Sequence, residues 1–288
     1  MNKKSQLIFF SLCTLQLLFI QACKEIGPPI NLNPVDESLI DTSYVLGSAE
    51  IPGPQSKVVL MEDFTGQECP NCPAAHEIIY GLEELYPNQM VIIAYYNYFA
   101  DILEDLPFVC EDAIDVGENF SATSTWPAGL VDRKDFDGDA DLLLTKEEYS
   151  TAVATQISLT PSCNVTVEKN FDSASRELKA SVKIIFTESV SGQLNLTVAL
   201  LEDSIVAKQI ETTAGEIPDY VHNNVLRKIV TFYLGDGLNE ENLTGRVYEK
   251  EYLYTIPEEW NADQIEVAAF VHFGETDKDE VLQAGSTH

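Results

Sequence analysis

Cys69 and Cys72 stand two residues apart in "DFTGQECPNCPAAHEII", residues 63 to 79, with Pro70 and Asn71 between them and Pro73 behind. Thiols at this spacing support three chemistries: a dithiol that cycles with its disulfide, an inert disulfide that staples a turn, or half of a zinc site. A helix that opens at the motif leaves its first amide N–H groups unpaired, and the positive end of its dipole stabilises a thiolate on Cys69. Such placement brings a cysteine pKa from about 8.5 into the range of about 3.5 to 7.5. Cys69 is then the nucleophile, and Cys72, a helical turn inward and less exposed, resolves the mixed disulfide by attacking the Cys69 sulfur. Pro70 suits the first helical turn, where its missing N–H leaves no gap. This redox reading requires a Cys69 that is reachable from outside; a Cys69 walled in by side chains leaves a passive protein.

Magnitude separates the staple from the couple. Closing a loop of four residues stabilises by only about 2 kcal/mol, against about 4 kcal/mol for a loop as long as Cys110 to Cys163. A zinc site needs two further ligands, and Cys110, Cys163 and His76 do not repeat the spacing, so no metal and no cofactor is expected. His76 lies on the same helix and stays outside the catalytic set, because an exposed or core histidine accounts for it equally. Cys110 and Cys163 either bridge the first half to the second or remain buried thiols. "DFDGDAD" resembles a calcium loop, but with Gly138 at the glycine place Arg133 falls on the first ligand position and Leu144 on the last, so a turn is expected.

The elements around the pair follow from periodicity. "KVVLMEDF" is a near-continuous apolar run, the pattern of a strand buried on both faces. Ala75, Ile78, Ile79, Leu82, Leu85 and Tyr86 repeat at helical spacing until Pro87, and "MVIIAYYN" is the next strand, giving a β-α-β unit with parallel strands. An irregular helical stretch follows at 100–120, then "PAGLVDR" as a third strand. Thr145 and Glu148 form a capping box ahead of a helix whose Tyr149, Ala152, Val153 and Ile157 share one face. From residue 161 the period changes to two: Val165 and Val167, then Leu194, Leu196, Val198 and Leu200, then Val267, Ala269, Val271 and Phe273 alternate with outward positions. About seven such segments suggest a β-sandwich.

The first 22 residues place Lys3 and Lys4 before an apolar run ending at Ala22, the build of an export signal. Ile20-Gln21-Ala22-Cys23 resembles the lipobox of bacterial lipoproteins, which makes Cys23 the lipidation site; an ordinary secretory signal with Cys23 free or paired is the alternative. Residues 23–55 carry Pro28, Pro29, Pro34, Pro52 and Pro54 and read as a tether, within which "DTSYVL" leaves room for a short strand. Removing the leader takes two of the 17 basic residues, leaving 15 against 47 acids, a balance of −32. That charge excludes nucleic acid as a partner and makes the lipid the expected contact with the membrane. The expected destination is the outer membrane, on its periplasmic face or at the cell surface.

Strand, "DF", four residues, "CPNC", helix, strand, and a later proline opening a strand together resemble the thioredoxin superfamily. The resemblance implies that Asp63, six residues before Cys69, is a buried proton acceptor for Cys72, and that Pro127 in "TWPAGLVDR" is the cis-proline beside the disulfide. A trans proline starting a strand is the other reading of Pro127. The mature chain also resembles the outer-membrane-protein-28-related lipoproteins of Bacteroidetes, through "VLMEDFTGQECPNCP" and "YVHNNVLR" at 220–227. The expected architecture is an α/β thioredoxin-like domain at 56–160 followed by an all-β immunoglobulin-like sandwich at 161–288. The expected function is an envelope-anchored thiol-disulfide oxidoreductase acting on protein thiols or disulfides through Cys69, Cys72, Asp63 and Pro127. Its rival is a binding or adhesion lipoprotein in which the thioredoxin-like part is a redox-inactive scaffold. "CPNC" differs from the "CGPC" of reducing thioredoxins, which leaves the direction of electron flow open.

Overall fold

The structure is a computed structural model that describes residues 38–104, 106–274 and 279–288. The export signal, the lipidation site Cys23 and the tether up to residue 37 lie outside the described residues. β1 (Asp41–Val45) is followed by β2 (Val59–Thr65), α1 (Cys72–Leu85), β3 (Met90–Tyr96), α2 (Phe99–Leu103), α3 (Glu111–Asn119), β4 (Ala128–Val131) and α4 (Tyr149–Ile157). Ten strands follow: β5 (Cys163–Asp172), β6 (Glu177–Phe186), β7 (Leu194–Glu202), β8 (Ile205–Glu211), β9 (Gly215–His222), β10 (Val225–Ile229), β11 (Asp236–Leu238), β12 (Arg246–Thr255), β13 (Ile265–Phe273) and β14 (Val281–Ser286).

Every residue of β2 and β3 is buried, as a continuous apolar run demands when both faces are covered. The two strands are parallel, in register from Val59 with Met90 to Thr65 with Tyr96, and β4 joins β2 antiparallel. α1 and α4 pack on one face through Ala75, Ile79, Leu82, Tyr149 and Val153. α3 covers the other face with Ala113 and Val116.

Residue 160 is not a boundary between sheets. β10 pairs parallel with β3 and antiparallel with β7, so one sheet runs β14-β13-β7-β10-β3-β2-β4, with β11 added on β7. Alternation along β7 explains why one strand serves two cores. Leu194, Leu196, Val198 and Leu200 face a second sheet, β1-β12-β6-β5. Ala199 and Leu201 face the opposite way, in one cluster with Leu60, Phe64 and Ile93 of the first half. Sequence periodicity reports each strand's own pattern and carries no information about which edge it joins, so the continuity of the sheet was not visible in it.

The end of the expected tether is docked. β1 pairs with β12, Leu46 N–H donates to the Gly245 carbonyl at 2.8 Å, and Gln55 N–H donates to Asn164 Oδ1 at 2.8 Å. Among the described residues, no helix is long and apolar enough to cross a membrane.

Candidate functional site

β2 delivers Asp63 and Thr65 to the turn that carries the cysteines, and Cys69 and Cys72 are joined in a disulfide. The first helical residue is Cys72, with Asn71 as its N-cap. Pro70 therefore precedes the helix, and Cys69 sits in the approach turn, its N–H donated to the Gly66 carbonyl at 3.2 Å and its carbonyl accepting from Cys72 N–H at 3.3 Å. The amides just ahead of Cys69 already have an anion. Asp101 on α2 accepts from Gln67 N–H at 2.5 Å and from Glu68 N–H at 2.9 Å. Burial pushes the Asp101 carboxyl up to about 6 against the pull of those two amides. Gly66 makes the approach possible, since a Cβ there would lie 2.2 Å from Tyr98 Cβ and 2.9 Å from Asp101 Oδ1.

A reachable Cys69 is the expectation the structure overturns: Cys69 is 1% exposed and Cys72 0%. The cover is the β8–β9 hairpin. Ile210 N–H donates to the Gln67 carbonyl at 2.8 Å, and Thr212 donates its N–H and its hydroxyl to the Pro70 carbonyl at 3.0 and 2.9 Å. Gln209, fully buried, donates Nε2–H to the carbonyls of Gly66 and Cys69, both at 3.1 Å. Gln67 Nε2–H returns a bond to the Lys208 carbonyl, and Lys208 pairs with Glu68. The hairpin thus recognises the backbone of the cysteine loop, residue by residue.

A buried polar chain runs from β2 through α1 to the hairpin. Asp63 Oδ2 is 3.2 Å from His76 Nε2, which also meets Thr65 Oγ1 at 2.9 Å, and His76 Nδ1 meets the Tyr220 hydroxyl of β9 at 2.8 Å. Asp63 Oδ1 has no hydrogen-bond partner among the described residues. It borders a small cavity shared with His76, Tyr80, Tyr96 and Asn223. The Tyr96 hydroxyl bonds His222 Nδ1 at 2.7 Å. Burial, and then the neighbouring His76, hold the His222 imidazole down at about 4, so it is neutral at neutral pH. His76 therefore belongs with Asp63, and the 220–227 segment joins the two halves: Tyr220 meets His76, His222 meets Tyr96, and Arg227 Nη1–H donates to the Pro107 carbonyl at 3.0 Å.

The Trp126–Pro127 peptide bond is cis, immediately before β4. Trp126 Nε1–H donates to Asn97 Oδ1 at 2.9 Å, while Asn97 N–H donates to the Thr65 carbonyl at 3.2 Å, so the proline's neighbour is tied to the end of β2. Cys110 and Cys163 are free thiols, the second of the two readings their sequence positions left open. Cys163 lies in the core between the two sheets, whereas Cys110 packs on the opposite face of the long sheet, against the cluster of Leu226. Burial pushes the two thiols up, to about 12 and about 11 respectively. In "DFDGDAD", Asp135 accepts from the amides of Gly138 and Ala140 at 2.6 and 3.1 Å, a turn that uses its carboxylate on its own backbone. Asp101 and Gln209 had no signal of their own in the sequence, since their relation to the pair is made only by tertiary contact.

The family described as outer membrane protein Omp28 matches residues 115–286. The match takes in the hairpin and "YVHNNVLR" and begins after the cysteine pair. No curated protein matches the chain. HBP35 of Porphyromonas gingivalis is similar in structure over 82% of this chain and 76% of its own, with a TM-score of 0.62 at 18% identity, a likeness of fold. A structure from Agrobacterium tumefaciens matches 81% of this chain and 95% of its own at 12% identity, with a TM-score of 0.49.

Proposed function

Because the chain belongs to the Omp28 family of outer membrane proteins, we propose that it works in the bacterial envelope by contact rather than catalysis, with its cysteine pair held shut. In this reading a lipid on Cys23 anchors the chain, the CPNC disulfide locks the approach to α1, and the β-rich second half meets the partner. The observation that carries it is the burial of both sulfurs under a hairpin bonded to the loop's own carbonyls. Exchange needs a thiolate to reach a sulfur of the disulfide, and the resting fold leaves no path for one. The charges around the loop point the same way. Asp101 bonds its amides and Glu68 lies within it, while Lys208, which reaches the loop side, is spent on Glu68. Carboxylates near a cysteine oppose its ionisation.

The test is native-state reactivity. Full-length oxidised protein treated with dithiothreitol and a maleimide is expected to keep Cys69 and Cys72 unlabelled, with a reduction potential below about −300 mV, as structural disulfides have. A Cys72→Ser variant is expected to collect no mixed disulfides through Cys69 in envelope extracts. A potential in the range of about −120 to −270 mV, together with trapped partners, overturns the reading in favour of an oxidoreductase.

One observation supports that second reading. A staple has no use for a buried carboxylate with an unpartnered oxygen, an arrangement that costs about 1–3 kcal/mol or more. Asp63 is 2% exposed, its Oδ1 has no partner among the described residues, and its Oδ2 meets His76 of the helix that Cys72 opens. A proton acceptor for Cys72 accounts for that expense, provided the hairpin moves.

A further inference from the structure

The hairpin that covers the pair is built as an appendage. β7 ends at Glu202 and β10 begins at Val225, and these two residues are paired in the long sheet. Everything from 203 to 224 is therefore an excursion that leaves and re-enters the sheet at adjacent ladder positions. β8 and β9 form a two-stranded sheet of their own, joined to neither large sheet. The two exits mirror each other: Ser204 and Asn224 both adopt left-handed backbone, with φ of 58° and 56°. Ser204 N–H donates to Asn223 Oδ1 at 2.9 Å, and Asn224 N–H donates to Asp203 Oδ1 at 2.6 Å. Beyond this pivot the excursion meets the body through bonds from Lys208, Gln209, Ile210 and Thr212 to the cysteine loop and from Tyr220 and His222 to His76 and Tyr96, and through Ile205, Ala207 and His222 packed against Tyr96 and Phe108.

Its grip on the loop backbone runs one way, from hairpin donors to loop carbonyls. Ile210 and Thr212 donate backbone N–H groups to the Gln67 and Pro70 carbonyls, and the Gln209 side chain donates to Gly66 and Cys69. The same carbonyls, freed of the hairpin, would accept from the main-chain N–H groups of another polypeptide. The outward face of the hairpin exposes the cross-strand pair Val206 and Val221, 61% and 46% accessible, so its outer side is not packed into the body.

We propose that residues 203–224 are a hinged flap that occupies the face of the CPNC loop where a cysteine-bearing polypeptide docks, and that the pair exchanges only when the flap lifts. This deepens the oxidoreductase reading and rests on it for its substrate. In the open form a thiolate of an incoming dithiol attacks the Cys69 sulfur. The Cys69–Cys72 bond breaks with its electron pair on Cys72, which takes up the proton that thiol released. The second thiol then attacks the mixed disulfide and frees Cys69. The dithiol becomes a disulfide, and its two protons end on the two cysteines.

Deleting residues 204–223 with Asn224→Gly leaves Asp203-Gly as a two-residue loop between the paired Glu202 and Val225, the composition a tight hairpin prefers. In the otherwise full chain, this variant is expected to be reduced by dithiothreitol at least about tenfold faster than the parent, with both Cys69 and Cys72 labelled. Gln209→Ala keeps the hairpin and removes the bonds to Gly66 and Cys69, so a rise of about three- to tenfold is expected there, in line with one or two lost hydrogen bonds. Gln209→Ala also decides the matter if the deletion fails to fold. Equal rates in parent and variants overturn the flap. A reduced, unstructured peptide carrying two cysteines is the second probe, expected to gain at least as much as dithiothreitol on flap removal. A gain with dithiothreitol and none with the peptide sinks the docking face and the exchange reading together while leaving the cover in place. A parent reduced as fast as the deletion sinks the cover and the closed-disulfide reading of the resting protein.

Discussion

At Gly66 the chain runs between Tyr98 and the Asp101 carboxylate with no room for a side chain, and Asp101 is the group that fixes the two amides ahead of Cys69. Gly66→Ala is therefore expected to destabilise the protein by about 1–3 kcal/mol, the usual cost of overpacking. It should also loosen the cysteine loop, read as a lower denaturation midpoint and faster maleimide labelling after reduction. An unchanged midpoint would mean that Tyr98 moves aside freely and that the fit is not tight. His222 gives a pH-dependent counterpart. Its imidazole is neutral in the fold down to about 4, whereas in the unfolded chain it protonates near 6.5. The unfolded state thus binds the extra proton in this window, so the contribution of His222 is complete above about 6.5 and is lost as the pH falls toward 4. Asp101 and Asp132, both raised to about 6 by burial, act with the opposite sign over much of the same range, because the folded state takes up their protons first. The difference between parent and His222→Gln isolates the histidine. That difference is expected to change by up to about 1.4 kcal/mol per pH unit between 6.5 and 4 and to be flat above 7. A difference that does not vary with pH refutes the buried neutral imidazole.

At the scale of elements, what could be read in advance was whatever is local. The apolar runs at 57–64 and 90–97 became β2 and β3, the 3.6-residue spacing after Cys72 became α1, and the alternation in 194–200 and 267–273 became β7 and β13. Half of the Thr145–Glu148 box formed: Thr145 N–H and hydroxyl both donate to the Glu148 carboxylate, but Glu148 N–H donates to the Thr145 carbonyl and not to its hydroxyl, and the regular helix begins only at Tyr149. What stayed hidden was contact between distant segments. Nothing in "SIVAKQIETTAGEIPDYVH" announces that its Gln209 will bond the carbonyl of Cys69, 140 residues earlier. The spacing of "CPNC" specifies what two thiols are able to do, and it carries no information about what lies on top of them. Cys110 and Cys163 show the same limit: an oxidising compartment leaves a bridge open, and it carries no information about the sheet that stands between the two residues.

At the scale of the whole molecule, the continuous sheet makes a physical claim about cooperativity. Phe64 and Ile93 share a core with Ala199, Leu201 and Phe270. Arg133, fully buried, forms a two-bond pair with Glu62 of β2, both at 2.8 Å, while its guanidinium lies 4.9 Å from the Phe270 ring of β13. Neither half can unfold without stripping an interior face of the other, which at about 25 cal/mol per Å² of apolar area is a large penalty for any partly folded form. The two tryptophans divide conveniently, Trp126 in the first half and Trp260 in the second. Trp126→Phe and Trp260→Phe variants each leave one reporter, and their denaturant curves are expected to share a single midpoint. Arg133→Met, which leaves Glu62 buried without its partner, is expected to lower both midpoints together by about 3–5 kcal/mol of stability. If the Trp126 transition moves while the Trp260 transition stays, the halves are separate folding units and the junction at β3 and β10 is only a docked edge. A common shift means that any partner gripping the β-rich half bears on the strands that carry the cysteine loop, since β7 and β10 are both the roots of the flap and the bridge between the halves.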